Sequence, residues 1–257
     1  MGKSFFRFRH FEVRQERAGM KVSTDSVLLS CLTDLGKPRR ILDIGTGTGL
    51  LALFSAEKYP DALVTGVEIE EGAYLDAMDN FAASPYSERL TAVHGDIREL
   101  RDGEFDAIIV NPPYFAGNKQ ELRSDERRTA RQDATLTDRD LRDAAERLLR
   151  DDGIFAICLP PLRAPSFLRE TGGILAPAEE ISLIPREGKE EYLRIITLRR
   201  RPEDGSAASG TDGACEKSVF TVRNRDGSYT PQYLLATDGI FLTSEQKAAL
   251  RRELGKG

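Results

Sequence analysis

Four short segments place glycines or polar side chains directly after apolar runs. In the first, ILDIGTGTGLL (residues 41–51), the apolar run ends at Asp43 and Ile44, and glycines follow at positions 45, 47 and 49. Glycines let the backbone turn sharply and approach a ligand closely, at a helix start where N–H groups point outward. The spacing G-x-G-x-G differs from the G-x-G-x-x-G that holds a dinucleotide pyrophosphate. Because Asp43 would repel a phosphate and attract an ammonium, the turn predicts a ligand with a positively charged amino acid end.

The next two segments add a carboxylate each. Glu68, in GVEIE, follows the glycines by about 20 residues, where an acid can accept hydrogen bonds from both hydroxyls of a ribose. Asp96, in HGDI, ends a third apolar run and could accept from an adenine amino group. Ligands of open α/β sheets bind beyond the carboxyl ends of the strands, so we expect Asp43, Glu68 and Asp96 to converge on one crevice.

The fourth segment, IIVNPPYF (residues 108–115), carries the most specific signal. Its two prolines remove two backbone donors and stiffen the turn, which leaves carbonyl groups free to accept. The Asn111 side-chain oxygen and the Pro112 carbonyl can therefore accept both hydrogens of one planar amino group. Tyr114 offers a ring on which a flat base or amide can stack. This segment predicts a site for a planar amine.

These segments require a scaffold of alternating strands and helices. Strands are predicted where short apolar runs occur: Ile41–Ile44, Leu63–Ile69, Leu90–Val93, Ala107–Val110 and Ile154–Leu159. Helical spacing of apolar residues predicts helices over Leu50–Lys58, Gly72–Ala82 and Thr137–Leu149, the last with Thr137 as N-cap and Asp140 answering it. Such alternation is typical of an α/β fold with a parallel sheet covered on both faces.

The alternation stops after residue 180. Tyr192–Leu198 and Val219–Val222 are predicted to be strands of an antiparallel hairpin at the sheet's edge, joined by a polar insert at about 201–217. Residues 115–135 form a second long polar stretch. We expect an N-terminal extension over 1–39 that packs on a core domain over 40–257.

Composition excludes several classes of protein. The 257 residues contain no apolar run near the roughly 18 needed to span a bilayer, so no membrane partner is expected. Three scattered cysteines argue against a disulfide framework and for a reducing cytoplasm, and two histidines without ligand-like spacing argue against a metal.

Charge is unevenly distributed along the chain. Residues 1–21 hold six Lys or Arg against two Glu, a local net charge of +4 on a chain of −5. Residues 119–131 hold five cations against three acids. These two segments predict a polyanionic partner.

Residues 41–114 resemble the class I S-adenosylmethionine-dependent methyltransferases, and the N-P-P-Y motif resembles that of amino-group N-methyltransferases. More narrowly, FRHFEVRQERAGMKVSTDSVLL (residues 7–29), the pair Ala130–Arg131 and SYTPQY (residues 228–233) are similar to the bacterial tRNA1(Val) adenine-37 N6-methyltransferases. The resemblance implies a Rossmann-like, seven-stranded, mostly parallel sheet with an antiparallel C-terminal hairpin and helices on both faces. It implies a cytoplasmic, tRNA-modifying enzyme that methylates adenine N6, with S-adenosylmethionine as cofactor, tRNA as partner and no obligate protein partner.

The resemblance also assigns residues. Catalysis is expected from Asn111, Pro112 and Tyr114. Binding of the cofactor is expected from Lys21, Thr24, Asp25, Asp43, Gly45, Gly47, Glu68, Asp96, Ile97 and Asn111. Binding of the substrate is expected from Pro113, Tyr114, Arg7, Arg9, Arg128 and Arg131.

Three other functions stay open at this point. A protein glutamine N5-methyltransferase carries the same N-P-P-Y motif, because an amide and an adenine amine present the same planar donors. A ribosomal RNA guanine-N2 methyltransferase is a second alternative, although phenylalanine is more usual there at the position of Tyr114. A non-catalytic binding module is the third, and the intact motif argues against it. The basic first 21 residues favour RNA over a protein substrate.

Overall fold

The computed structural model describes residues 5–19, 21–101, 103–113, 136–202 and 215–241. In chain order the elements are β1 (Phe5–Arg7), β2 (Glu12–Arg14), α1 (Thr24–Leu32), β3 (Arg40–Ile44), α2 (Leu50–Lys58), β4 (Leu63–Glu68), α3 (Glu71–Ala83), a 3₁₀ turn (Ser87–Arg89), β5 (Leu90–His94), β6 (Phe105–Val110), α4 (Asp138–Leu148), β7 (Leu149–Leu159), α5 (Ala164–Thr171), β8 (Leu175–Ile184), β9 (Leu193–Arg200), β10 (Glu216–Thr221) and α6 (Pro231–Ala236).

One eight-stranded sheet in the order β10-β8-β9-β7-β6-β3-β4-β5 carries the fold. The five strands from β7 to β5 run parallel, and β9 runs antiparallel to both of its neighbours. Successive residues of β6 face opposite sides of the sheet. Ala107 and Ile109 pack against α1, α2 and α3, whereas Ile108 and Val110 pack against α4 and α5. The predicted α/β class, with a mostly parallel sheet covered on both faces, is confirmed.

The central helices lie where the sequence predicts them. Helix α4 buries Leu141, Ala144, Ala145 and Leu148 on one face. At its start the Thr137 hydroxyl accepts from the backbone N–H of Asp140 (3.1 Å), and an Asp140 carboxylate oxygen accepts from the N–H of Thr137 (2.9 Å). The predicted capping pair is therefore present.

The antiparallel hairpin is made of other strands than predicted, and the sheet has eight strands rather than seven. Strand β9 pairs with β8 and β7, and β10 lies parallel to β8 at the edge. The sequence does not predict β8, because Pro177, Glu179 and Glu180 interrupt its apolar pattern. Glu180 is tolerated there because Arg194 of the neighbouring strand pairs with it at 3.0 Å. Of the predicted insert, residues 203–214 lie outside the described residues.

The segment before β3 shares the core of the sheet. Phe8 and Phe11 pack edge-on against Phe54 of α2, with ring centroids 4.9 and 5.1 Å apart. Leu28 and Leu29 of α1 are fully buried. Residues before β3 thus belong to the same hydrophobic core as the sheet, while the division into an extension over 1–39 and a domain over 40–257 stays a prediction.

Candidate active site

A cavity of about 240 Å³ opens at the carboxyl ends of β3, β4, β5 and β6. Its walls come from these four strand ends, from the N-terminal segment, from the first turn of α3 and from Leu136, two residues before α4. The lining residues are Ala18, Gly19, Ile44, Gly45, Gly47, Val67, Glu68, Ile69, Glu70, Ala73, Gly95, Asp96, Ile97, Asn111, Pro112, Pro113 and Leu136. Seven of the residues predicted for cofactor or catalysis thus meet at one place: Gly45, Gly47, Glu68, Asp96, Ile97, Asn111 and Pro112.

The glycine turn needs its glycines for two different reasons. Gly45 and Gly47 have φ of 67° and 56°, and a Cβ on either would meet nothing within 4 Å. Their backbone therefore faces open cavity. Gly49 has φ of 85°, and a Cβ there would lie 2.4 Å from the Phe81 ring. The first two glycines leave room for a ligand, and the third lets α3 pack against the turn.

Asp43 lies beneath the glycine turn and is not among the residues that line the cavity. It is fully buried, and its Oδ2 accepts from the Thr46 hydroxyl at 2.6 Å and from the Ala52 N–H at 3.1 Å. Its Oδ1 is buried without a hydrogen-bond partner among the described residues. Burial raises the pKa of Asp43 to about 7, although the Thr46 and Ala52 hydrogen bonds oppose the rise. The geometry shows Asp43 holding the turn, and its contact with an ammonium stays a prediction.

The raised pKa of Asp43 predicts a pH-dependent stability. Since the folded protein holds this proton more tightly than the unfolded chain, the free energy of unfolding should fall as the pH rises from about 4 to about 7. Asp43→Asn, which cannot titrate, should show a flatter dependence over this window. Urea denaturation at several pH values measures both profiles, and parallel profiles would contradict the prediction.

Glu68 links β4 to the glycine turn. Its Oε2 accepts from the Gly47 N–H at 2.8 Å, and its Oε1 accepts from the Glu70 N–H at 2.9 Å. A carboxylate has about four lone-pair positions, so each oxygen can accept a further hydrogen bond. Glu68 is therefore held with both oxygens at the cavity wall, in the arrangement that two neighbouring hydroxyls of a ribose require.

Asp96 lines the cavity next to Gly95 and Ile97 and is paired within its own loop. The Arg98 guanidinium donates to both carboxylate oxygens, at 3.0 and 2.8 Å from Nε. This pairing lowers the pKa of Asp96. The carboxylate is thereby kept ionised and fixed as a hydrogen-bond acceptor.

Asn111 follows the last residue of β6 and reaches across to α1. Its Nδ2 donates to the Ser26 hydroxyl at 2.8 Å. Ser26 is itself placed by the helix start, because its N–H donates to the Ser23 hydroxyl at 3.2 Å. With Nδ2 directed at α1, the amide presents Oδ1 in another direction, and Pro112 and Pro113 continue the cavity wall beside it. Ser26 was not predicted as a site residue, and its place in TDSVLL gave no signal for this role.

Comparison with known proteins gives concordant results. The model of the methyltransferase small domain family matches residues 22–171. A tRNA1(Val) (adenine(37)-N6)-methyltransferase of Aeromonas hydrophila is 34% identical over 94% of this chain and 99% of its own length. The protein of the same name from Flavobacterium psychrophilum is 32% identical over 92% of this chain and 99% of its own length. The chain belongs to this family of tRNA methyltransferases.

Solved structures support the fold. A predicted O-methyltransferase from Agrobacterium tumefaciens superposes with a TM-score of 0.59 at 19% identity, covering 86% of this chain and 98% of that one. TYW2 of Pyrococcus horikoshii, solved in complex with MeSAdo, gives a TM-score of 0.54 at 17% identity, covering 77% and 70%. Both likenesses concern the methyltransferase fold alone.

Lys21, Thr24 and Asp25, which are predicted to bind the cofactor, do not line the cavity. Lys21 donates to the Gln15 carbonyl, and Thr24 begins α1. Asp25 accepts from the Tyr192 hydroxyl at 3.0 Å, and burial raises the pKa of this carboxyl. These contacts hold the N-terminal segment and join α1 to the start of β9. Contact of Lys21, Thr24 and Asp25 with a cofactor stays a prediction.

Asp76 and Asn80, which hold the segment before Ala18 and Gly19 at the cavity, were not predicted as site residues. Asp76 of α3, 2% exposed, accepts from the N–H groups of Arg17 and Ala18, both at 2.9 Å. One turn later, Asn80 exchanges hydrogen bonds with the backbone of Arg14 and donates to the Thr48 carbonyl of the glycine turn at 2.8 Å. The available signal was two polar residues at i and i+4 on the apolar face of a helix.

We expect Asp76→Ala to loosen this wall of the cavity. The change leaves two backbone N–H groups without their acceptor, at a cost of about 1–3 kcal/mol for each buried donor. Urea denaturation should show lower stability, and calorimetry should show weaker binding of S-adenosylmethionine. Asp79→Ala is the matched control on the same helix, because Asp79 is half exposed and its one ion pair among the described residues is with the Arg17 side chain. Equal stability of the two variants would contradict the prediction.

The predicted substrate-binding cations differ in their placement. Arg7 pairs with Glu12 at 2.8 Å, and the turn after it contacts α2 through His10 and Glu57, in the half of that helix remote from the glycine turn. Contact of Arg7 and Arg9 with RNA stays a prediction. Tyr114, Arg128 and Arg131 lie outside the described residues.

The part of the chain that the structure describes offers neither a metal-ligand cluster nor a membrane-spanning helix. It contains no group of three His, Cys, Asp or Glu side chains that could hold a metal ion. Nor does it contain a helix long and apolar enough to cross a membrane.

Proposed function

We propose that this protein transfers a methyl group from S-adenosylmethionine to the exocyclic N6 of an adenine in tRNA, with adenine 37 of tRNA1(Val) as the target. The observation that carries the proposal is Asn111 at the end of β6, facing the same cavity as Glu68 and the glycine turn. Relatives named for this activity match nearly the whole chain. A tRNA substrate assigns the enzyme to the cytoplasm.

The residues of the cavity fit S-adenosylmethionine. The open backbone at Gly45 and Gly47 would accommodate its amino acid end, Glu68 would accept from its ribose hydroxyls, and Asp96 would hold its adenine. When bound, S-adenosylmethionine supplies an electrophilic sulfonium methyl group.

The protein's own part in the reaction is to position the amine. The N6 lone pair of adenine is delocalised into the ring, so the amine is a weak nucleophile. Asn111 Oδ1 and the Pro112 carbonyl accept its two hydrogens, which favours a tetrahedral nitrogen and holds it in line for attack. The amine proton becomes acidic only as the N–C bond forms and the S–C bond of the sulfonium breaks, so no strong base is needed beforehand. The proton then passes to water, and the cofactor leaves as a neutral thioether. Fixed acceptors, rather than acid–base catalysis, provide the rate enhancement.

The target adenine has to leave its stack to reach this site. Enzymes that modify a base extrude it or act where it is already unstacked, and an anticodon loop provides such a base. In this proposal the extruded base stacks on the ring of Tyr114. The prolines at 112 and 113 stiffen the segment that presents these groups.

Methylation of defined acceptors tests the proposal. The protein is incubated with S-adenosylmethionine and unmodified tRNA1(Val) transcript, and nucleosides are identified by mass spectrometry after digestion. N6-methyladenosine at position 37 is the expected product, and a transcript with guanine at 37 should give none. Parallel reactions contain a release-factor peptide with its glutamine, and ribosomal RNA. A methylated glutamine or guanine N2 in place of adenine would overturn the proposal.

A further inference from the structure

A second, wider cavity of about 670 Å³ lies apart from the methyl-transfer site. It is formed by the loop after β8 and the turn after β10, and its lining residues are Pro185, Arg186, Lys189, Glu190 and Arg223. We call it the hairpin groove. Three of its five residues are cationic, although the whole chain is acidic.

The strand registers place the hairpin groove on the same edge of the sheet as Asn111. Leu159, the last residue of β7, pairs with Arg194 near the start of β9. Leu193 pairs with Leu183 near the end of β8, and Ile184 pairs with Thr221, the end of β10. Strands β6 and β8 are three spacings apart, or about 14 Å at about 4.8 Å per strand. The groove therefore lies beside the site of methyl transfer.

Two of its cations are exposed and unpaired within the described chain. Arg186 and Lys189 form no ion pair with a described carboxylate, whereas the neighbouring Glu187 is paired with Arg225 at 3.4 Å. Glu190 is the single acid of the lining. The groove thus presents a net positive charge to solvent.

The third cation is held in place by aromatic stacking. The Arg223 guanidinium lies 4.1 Å from the centroid of the Tyr229 ring, and Tyr229 stacks on Tyr233 at 4.3 Å. Arg223 also donates to the Gly227 carbonyl at 2.7 Å and to the Tyr229 hydroxyl at 3.0 Å. Arginine has five N–H donors, so further ones can bind an anion. A fixed guanidinium loses little side-chain entropy when it binds.

We propose that the hairpin groove binds backbone phosphates of the tRNA near the extruded adenine. The inference rests on the proposed function and gives the substrate a second anchor. Arginine and lysine are among the side chains that contact nucleic-acid phosphates, and such contacts set the orientation of the nucleic acid without reading its sequence. Because the groove lies about 14 Å from β6, it would contact the tRNA backbone a few nucleotides away from the target adenine. Tyr229 and Tyr233 of the SYTPQY segment then hold the Arg223 guanidinium in position for a phosphate.

The test compares two double variants with the same change of charge. Arg186→Gln/Lys189→Gln removes the two exposed cations of the groove and leaves Arg223, which bonds its own turn. Lys37→Gln/Arg169→Gln is the control, because both residues are exposed and lie at the opposite edge of the sheet, before β3 and at the end of α5. Affinity for tRNA1(Val) transcript is measured at several salt concentrations, together with methyl-transfer kinetics.

We expect the groove variant to bind tRNA about tenfold more weakly at low salt, with a log–log salt slope flatter by about 1.4–1.8 for two lost contacts. Its KM for tRNA should rise while kcat at saturating tRNA and affinity for S-adenosylmethionine stay at the parent values. A groove variant with the affinity and salt slope of the control would overturn the inference and leave the proposed function intact. A parent protein that methylates no tRNA adenine would overturn the proposed function, and the inference with it.

Discussion

Asn111→Ala is expected to lower the rate of methyl transfer by a factor of about 100 or more while affinity for S-adenosylmethionine changes little. The substitution removes an acceptor that holds the amine in line, and misplacement of a reacting group by about 1 Å costs a factor of this size. Single-turnover kinetics with tRNA1(Val) transcript measures the rate, and calorimetry measures binding of the cofactor. A variant that retains parental turnover would show that the N-P-P-Y segment does not hold the target.

Ser26→Ala provides a graded companion to this variant. It removes the hydroxyl that accepts from Asn111 Nδ2 at 2.8 Å and keeps the amide itself. Helix α1 keeps its N-cap, because the Ser23 hydroxyl accepts from the backbone N–H of residue 26, which the substitution does not change. We expect a smaller loss of turnover than for Asn111→Ala, with unchanged thermal stability. If Ser26→Ala lost as much turnover as Asn111→Ala, the serine would have a part in catalysis beyond orienting the amide.

Glu68→Ala is expected to weaken binding of S-adenosylmethionine by about 1–3 kcal/mol, or about fivefold to more than a hundredfold. Two hydroxyls of the ligand would lose their acceptor, and the Gly47 N–H would lose its partner at 2.8 Å. The glycine turn would thus be loosened and the ligand less well bound. Isothermal titration calorimetry gives the affinity directly.

Two control variants separate these effects. Glu68→Gln keeps one side-chain carbonyl oxygen and should bind more tightly than Glu68→Ala. Glu71→Ala removes an exposed acid from the first turn of α3, outside the cavity lining, and should bind as the parent does. Equal affinities of the parent and Glu68→Ala would overturn the assignment of the ribose position.

Several features of the site follow from short stretches of sequence. Gly45, Glu68, Asp96 and Asn111 each lie within three residues of the end of a predicted strand, and the carboxyl ends of parallel strands meet at one edge of a sheet. Once the strands are parallel, the convergence of these residues requires no further information. The Thr137–Asp140 capping pair is local in the same way, because its hydrogen bonds join residues three positions apart.

Other features depend on partners that are distant in the chain. In the sequence, Asp76 is only a polar residue on an apolar helix face. Its role depends on the N–H groups of Arg17 and Ala18, which lie 58 or more positions away in the chain. In the sequence, Arg7 counts as one of the cations of a basic segment. In the structure, Glu12 pairs with it across the β1–β2 hairpin and offsets its charge. The charge of a segment therefore overstates the charge that it presents to solvent.

The α/β class, the central strands and helices, and the strand ends that form the cavity can be predicted from the linear sequence, because hydrophobic periodicity and turn residues act over a few positions. The assembled fold is what makes Leu175–Ile184 a strand, since the charge of Glu180 becomes tolerable when Arg194 lies opposite it. It also decided that Asp43 lies beneath the turn rather than in the cavity. The hairpin groove likewise exists only because the registers of β7, β9, β8 and β10 bring two distant loops to the edge that carries Asn111. Burial and ion pairing are properties of the assembled neighbourhood, and a linear pattern does not contain them.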